Sequence, residues 1–352
     1  MPEGIRGAVH ENAEPAPTEP PSIPPNRGEE KEGGRPRRKK RIRPAREKRH
    51  LLARIEYVLF LALFAFFRAL PFRLAFRVGE GIGALLYWVD RPHRRVGLTN
   101  LALAFPAKDK AERHRILRES FRNLGRLLAE FCHLRSLTPE NIHERVQFEN
   151  EAEWRQLVDN LRATGALILT GHFGNWELFA HAAACYGLPI HIIHRRLRNV
   201  FIEKVLTTER ERGGTKVIKK TTAGIEVFRA IKKKSAVVAA VDQNASGRMG
   251  VFVPFFSRLA STSAGLAGLA LTTGVPVVPA FLVRENGSCQ HKIVLLPLIE
   301  PIRTGNQEED IRATTAKFTA IFQDMVERYP DHWLWIHKRW KRRPDGDAPV
   351  YR

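Results

Sequence analysis

From Val146 onward, short apolar runs alternate with stretches whose apolar residues recur every three or four positions. Val146-Gln-Phe148, Ala166–Leu169, Ile190–Ile193, Val217-Ile218, Ala236–Val241, Val277–Val283 and Ile293–Leu296 read as strands. Helices are predicted at Ala152–Leu161 and at about 199–212, 222–233, 263–273 and 308–328, between or after the strands. Such alternation predicts an α/β fold: a mainly parallel mixed sheet covered by helices on both faces. Upstream, Ile116, Leu117, Phe121, Leu124, Leu127, Leu128, Phe131 and Leu134 recur at helical spacing between Asp109 and Leu137, and Thr138-Pro139 punctuates the end. That segment is a core-facing helix laid on the sheet, with His114 and His133 structural or exposed.

One junction concentrates polar chemistry. The run Leu167-Ile-Leu-Thr-Gly-His172-Phe-Gly-Asn-Trp-Glu177 goes from strand to helix through Gly171–Asn175, the position at the mouth of a sheet where α/β proteins place their sites. A lone histidine is more often structural, but the context of His172 points to a general base. Gly171 and Gly174 keep the turn narrow. Asn175 can cap the next helix, whose N-terminal amides suit a developing negative charge. Glu177 falls in the first turn of that helix, placed to reach back to the imidazole as its orienting carboxylate. No G-x-S-x-G elbow, phosphate-binding loop or H-E-x-x-H motif is present. A base without a protein nucleophile suggests direct attack by a substrate hydroxyl on an activated acyl group.

The N-terminal third changes the picture from a free α/β domain to a surface-bound one. Residues 1–34 are rich in Pro, Glu and Gly, and 35–49 read RPRRKKRIRPAREKR; together residues 1–50 are expected to be a disordered basic tail. The apolar runs Ile55–Phe67 and Val78–Val89 follow, separated by Pro71, Arg73 and Arg77. The first is short for a span, and basic residues flank both ends, so residues 51–95 are expected to form an in-plane helical anchor or shallow hairpin in preference to a true span. Gly79-Glu-Gly-Ile-Gly83 follows no strand and is no dinucleotide loop. Residues 96–344 are then the catalytic domain and 345–352 a flexible C-terminus. The formal charge of +21 on 352 residues requires a polyanion or an anionic surface; because the basic residues flank apolar segments, the membrane is favoured over nucleic acid. Cys132, Cys185 and Cys289 are scattered, which argues against disulfides and a zinc site.

The motif GHFGNWE closely resembles the His-x4-Asp/Glu block of the late acyltransferases of lipid A biosynthesis, the lauroyl/myristoyl transferase family. The similarity extends over about residues 51–344. His194-Arg-Arg-Leu197 is similar to that family's Tyr-Arg-Pro-Leu block with two positions changed, and Arg210 and Arg212 to its paired arginines. Val241-Asp242-Gln243, Gly250–Phe256 with Ala260 and Thr262, and Trp335–Pro344 resemble further blocks in the same order. The resemblance implies a fatty acyl thioester donor on acyl carrier protein or coenzyme A, with no metal and no bound cofactor. It implies an acceptor hydroxyl on a phosphorylated glycolipid, at the cytoplasmic face of a bacterial inner membrane. His172 and Glu177 would be catalytic, with amides near Gly174 and Asn175 and an arginine stabilising the oxyanion. Arg195, Arg210 and Arg212 suit phosphates, although each can equally be a solvated surface arginine. Asp242, ending an apolar strand, would position an arginine or the active-site turn, or merely cap. Phe252, Phe255 and Phe256 form an acyl-chain wall or ordinary core. Trp333, Trp335 and Trp340 suit either a membrane interface or domain packing. Acylation of another glycolipid, phospholipid or aminolipid is the nearest alternative; a basic nucleic-acid-binding protein and a silent membrane scaffold are remote ones.

Overall fold

The computed structural model describes residues 43–351. Glu47–Arg352 form one compact unit, and the architecture is that of this unit. The tail expected over residues 1–50 lies outside the described residues up to position 42, but the chain is already helical from Arg43.

Helix α1 (Arg43–Ala69) stops before Pro71, whose missing N–H makes it a helix starter, and α2 (Phe72–Val89) follows. Asp90 ends α2 and caps α3 (Arg91–Ala104), accepting from the His93 amide at 3.2 Å. Asp109 caps α4 (Lys110–Cys132) through Glu112 at 2.7 Å. This helix is shorter than the run expected to Leu137, because the chain tightens into a separate turn at Leu134–Ser136. The glycines of the false dinucleotide motif serve helix packing. A Cβ on Gly125 of α4 would lie 2.0 Å from the Gly79 carbonyl of α2, so the two backbones can touch only where both lack side chains.

The alternating part yields β1 (Val146–Phe148), α5 (Glu151–Thr164), β2 (Ala166–Thr170), α6 (Trp176–Cys185), β3 (Ile190–His194), α7 (Val200–Arg212), β4 (Lys216–Lys219), α8 (Ala223–Lys232) and β5 (Ala236–Ala240). A hairpin, β6 (Gly250–Phe255) and β7 (Arg258–Ser263), precedes α9 (Gly265–Thr273), β8 (Val277–Arg284), β9 (His291–Leu295) and α10 (Gln307–Arg328). Seven strands form one sheet in the order β1-β9-β8-β2-β5-β3-β4, parallel except where β8 meets β9. Strand alternation sorts the core. Leu167, Leu169, Val237 and Phe281 pack with residues of α8, α9 and α10, such as Val227, Leu266 and Phe322. Ile168, Val238, Ala280 and Leu282 pack with Phe131, Trp154, Leu178 and Phe179 of α4, α5 and α6. Both faces are therefore covered, and every residue of β2 and β8 is buried; each fully buried Leu or Ile contributes about 1.5–3 kcal/mol. The C-terminus is not free as expected. Tyr351 Oη accepts from the Trp340 amide at 3.0 Å and donates to Asn100 Oδ1 at 2.5 Å, pinning residues 345–351 to the domain.

Candidate active site

Strands β2 and β5 are central neighbours, paired from Ala166↔Ala236 to Thr170↔Ala240. His172 and Asp242 each lie two residues beyond the last pair. The register therefore brings them side by side, with His172 Nδ1 3.0 Å from Asp242 Oδ1. Asp242 is 2% exposed, and its other oxygen accepts from Trp333 Nε1 at 3.0 Å. Burial alone would raise this carboxyl, but the imidazole and indole contacts reverse that and hold it down at about 2. Burial likewise pulls His172 down, and the Asp242 charge, its hydrogen bond and the nearby Glu177 charge outweigh it, leaving the imidazole above its ordinary value. With Nδ1–H donated to Asp242, Nε2 carries the lone pair of a base. The side chain retains 29% exposure. Trp176 flanks the ring at 5.1 Å, and Gln243 Nε2 lies 3.2 Å from Nδ1 and 3.4 Å from Nε2.

Glu177 does not take the place expected of it. Both its oxygens are bound by Arg210, Nε to Oε2 at 2.8 Å and Nη2 to Oε1 at 2.6 Å. The carboxylate hydrogen-bonded to the imidazole is Asp242, and Glu177 contributes its nearby charge. Arg210 is correspondingly committed, with its Nη1 3.5 Å from His194 Nδ1, and is no free phosphate ligand. His194 Nε2 pairs in turn with Glu203 at 3.0 Å.

The turn itself is held from below. Gly174 adopts φ +56, and a Cβ there would meet the Leu282 carbonyl at 1.8 Å, which leaves glycine alone able to fill it. Its amide donates to His332 O at 2.9 Å, and the Leu334 amide donates to His172 O at 3.1 Å. Asn175 caps α6 by accepting from Leu178 N at 3.0 Å, and its Nδ2 donates to Glu130 at 2.7 Å. The Gly174 amide is thus used within the fold and is not free for an oxyanion, whereas the Asn175 side chain caps the helix as expected. Glu130 is locked bidentately by Arg284 at 2.8 and 2.6 Å, all three side chains being buried. Burial would raise Glu130, but Arg284 and His291 more than offset it and lower its pKa.

The sequence that builds this site matches a known family. Residues 44–342 match the family model described as bacterial lipid A biosynthesis acyltransferase. The chain belongs to that family. It is 27% identical over 290 residues to the lipid A biosynthesis palmitoleoyltransferase of Escherichia coli (strain K12), covering 80% of this chain and 90% of the relative. The lauroyltransferase of the same organism is 26% identical with the same coverage. Its myristoyltransferase is 23% identical over 279 residues, 78% of this chain and 82% of the relative.

The remaining predicted residues of this acyltransferase-family chain fall in different places. Arg195 is exposed, next to the end of β3. Arg212 is 55% exposed and lies 3.6 Å from Glu209, lining a cavity of about 380 Å³ with Arg135 and His181, away from the residues that contact His172. Phe255 is core, its ring 5.4 Å from Trp333 and 5.6 Å from Trp340, so it is no acyl wall. Phe252 is partly buried beneath Arg342, and Phe256 packs on Phe105. Trp333, Trp335 and Trp340 are at most 1% exposed, which decides for domain packing over a membrane interface. Glu130 and Arg284 escaped the sequence reading because nothing local marks them; Trp333 was singled out with Trp335 and Trp340, but its hydrogen bond to Asp242 was not foreseen. Among the described residues no cluster of three His, Cys, Asp or Glu is arranged to hold a metal ion.

Proposed function

We propose that the protein is a membrane-associated O-acyltransferase that moves a fatty acyl chain from an acyl carrier protein or coenzyme A thioester to a hydroxyl of a lipid A-type phosphoglycolipid. The observation that carries this reading is the partly exposed imidazole at the carboxyl edge of the sheet, its Nδ1 held by a fully buried aspartate. Nε2 removes the proton of the acceptor hydroxyl as its oxygen attacks the thioester carbonyl. The tetrahedral intermediate then collapses, the C–S bond breaks, and the imidazolium returns the proton to the departing thiolate. Asp242 stabilises the imidazolium between the two transfers, and the Glu177 charge adds to it. No resident metal or cofactor is needed, because the thioester arrives activated. The exposed apolar face of α1, with basic residues before and after it, supports attachment to the cytoplasmic face of the bacterial inner membrane.

The test is lipid mass spectrometry of cells producing the wild type or His172→Ala at equal levels. A mass increment of one acyl chain on lipid A, present only with the wild type, is expected. The same increment on another glycolipid, phospholipid or aminolipid would keep the chemistry and replace the acceptor. Unchanged lipids in cells and in extracts supplied with acyl thioesters would refute the proposal.

A further inference from the structure

The way α1 docks on the domain fixes how it can meet a bilayer. By length and composition, His50–Ala69 could cross a membrane. Its contacts tell against that. Ala53, Tyr57, Phe60, Phe64 and Phe67 form one stripe, spaced four, three, four and three residues apart, that is partly or fully buried. The Ala53 carbonyl and Glu56 accept from Asn199 Nδ2 at 2.7 and 3.0 Å. Tyr57 meets Phe201 at 5.5 Å, Phe64 meets Phe131 at 6.3 Å, and Arg68 lies 3.7 Å from Glu209. Docking thus continues from Ala53 to Arg68, about 22 Å of helix at 1.5 Å per residue. The partner α7 runs alongside, from Phe201 next to Tyr57 to Glu209 next to Arg68, with Lys204, Glu211 and Arg212 exposed. A spanning α1 would carry this polar helix through most of a hydrocarbon core about 30 Å thick. The opposite face of α1 is apolar and open: Leu52, Ile55, Leu59, Leu63 and Phe66 are 40–66% exposed.

The loop that receives α1 shares its character. Leu197, Val200 and Phe201 are 39%, 46% and 37% exposed. Arg195, Arg196 and Arg198 are exposed, with no ion pair among the described residues. The loop is held at both ends, by the Leu197 amide donating to Glu203 at 3.0 Å and by Asn199 on α1. Apolar tips between unpaired arginines, on a fixed loop continuous with an apolar helix face, match an anionic phospholipid leaflet: hydrocarbon for the tips and headgroup phosphates for the guanidinium groups.

We propose, resting on the membrane association above, that α1 lies in the plane of the leaflet and that residues 195–201 enter the same leaflet beside it. Glu203 and His194 then connect this surface to the Arg210–Glu177 pair, so the mouth of the site sits at headgroup level.

The test uses the full chain with Cys132, Cys185 and Cys289 replaced by serine or alanine. Single cysteines at Leu52, Leu59, Phe66 and Leu197 carry an environment-sensitive fluorophore, in vesicles of phosphatidylethanolamine and phosphatidylglycerol with lipids brominated at defined depths. Equal, shallow quenching at 52, 59 and 66, with quenching also at 197, is expected. Leu59 at the bilayer centre with Leu52 and Phe66 near opposite surfaces would overturn the in-plane orientation. Quenching on α1 but not at 197 would overturn the loop contact. Quenching nowhere would overturn the proposal together with the membrane association beneath it, while leaving soluble acyl transfer to be judged by its own assay. Changing Arg195, Arg196 and Arg198 to glutamine is expected to weaken vesicle binding about fivefold per arginine, in a salt-sensitive way; undiminished affinity would remove the headgroup role.

Discussion

Asp242→Asn isolates the contact on which the site depends. The substitution preserves shape and the capacity to accept from Trp333, but removes the charge facing His172. At about 1.36 kcal/mol for each tenfold change in proton affinity, the lowering of Asp242 from 3.8 to about 2 corresponds to roughly 2 kcal/mol, most of it from His172 and the rest from the Trp333 hydrogen bond. With 2% exposure, solvent does little to screen it. If that coupling stabilises the imidazolium formed during proton transfer, its loss lowers kcat by about 10- to 30-fold, and more where asparagine favours the wrong tautomer. KM should stay within about twofold, because a buried side chain does not touch substrate. The pH profile supplies an independent readout. A general base works unprotonated, and the His172 pKa is raised, so wild-type kcat should climb with pH through a limb above 6.5. In Asp242→Asn that limb moves to lower pH, since the charge that favoured the imidazolium is gone. The same raised pKa contributes folding stability below pH 6.5 that is lost as pH rises through the folded value. Turnover with acyl carrier protein thioester and a lipid A precursor, measured across pH on a protein of unchanged circular dichroism, is the assay. A variant within about threefold of wild-type kcat, with an unmoved limb, would refute the role of Asp242.

Glu177→Gln leaves Arg210 without its counter-charge and should destabilise the fold by about 3 kcal/mol, while lowering kcat less than Asp242→Asn does; the opposite order of kcat losses would return the direct supporting role to Glu177. Glu130→Ala strands the buried Arg284 and should cost about 3–5 kcal/mol in urea unfolding, and an unchanged midpoint would show the network to be dispensable. Because the Glu130 pKa is lowered in the fold, its stabilisation is present above the ordinary carboxylate range and fades as pH falls through the folded value. The gap between this variant and wild type should therefore narrow in acid.

The α/β alternation, most element positions and the strand-to-helix turn at His172 were all legible in the sequence. They depend on local periodicity, on β-branched runs and on Gly and Pro punctuation, which act within a few residues. The need for glycine at 174 was legible as a narrow turn, though not the Leu282 carbonyl that enforces it. Buried tryptophans were ambiguous, because an amphipathic aromatic surrounded by arginines suits both a membrane interface and a packed core with cations at its rim. In the fold those three residues are buried, Trp333 pairs with Phe173 of the His172 turn, and Arg339 stacks on Phe255 at 4.8 Å in the same core.

What the sequence could not supply was the identity of neighbours. Glu177 lies close to His172 along the chain and was assigned its carboxylate for that reason, yet Arg210, a full βα unit away, captures it. Asp242 lies 70 residues from His172 and becomes its partner because β5 inserts between β2 and β3 in parallel register. Local chemistry is written in the order of residues, since turns and caps form between near neighbours. Which charges meet across the edge of a sheet follows from strand order, which is set by how the whole chain buries its apolar faces.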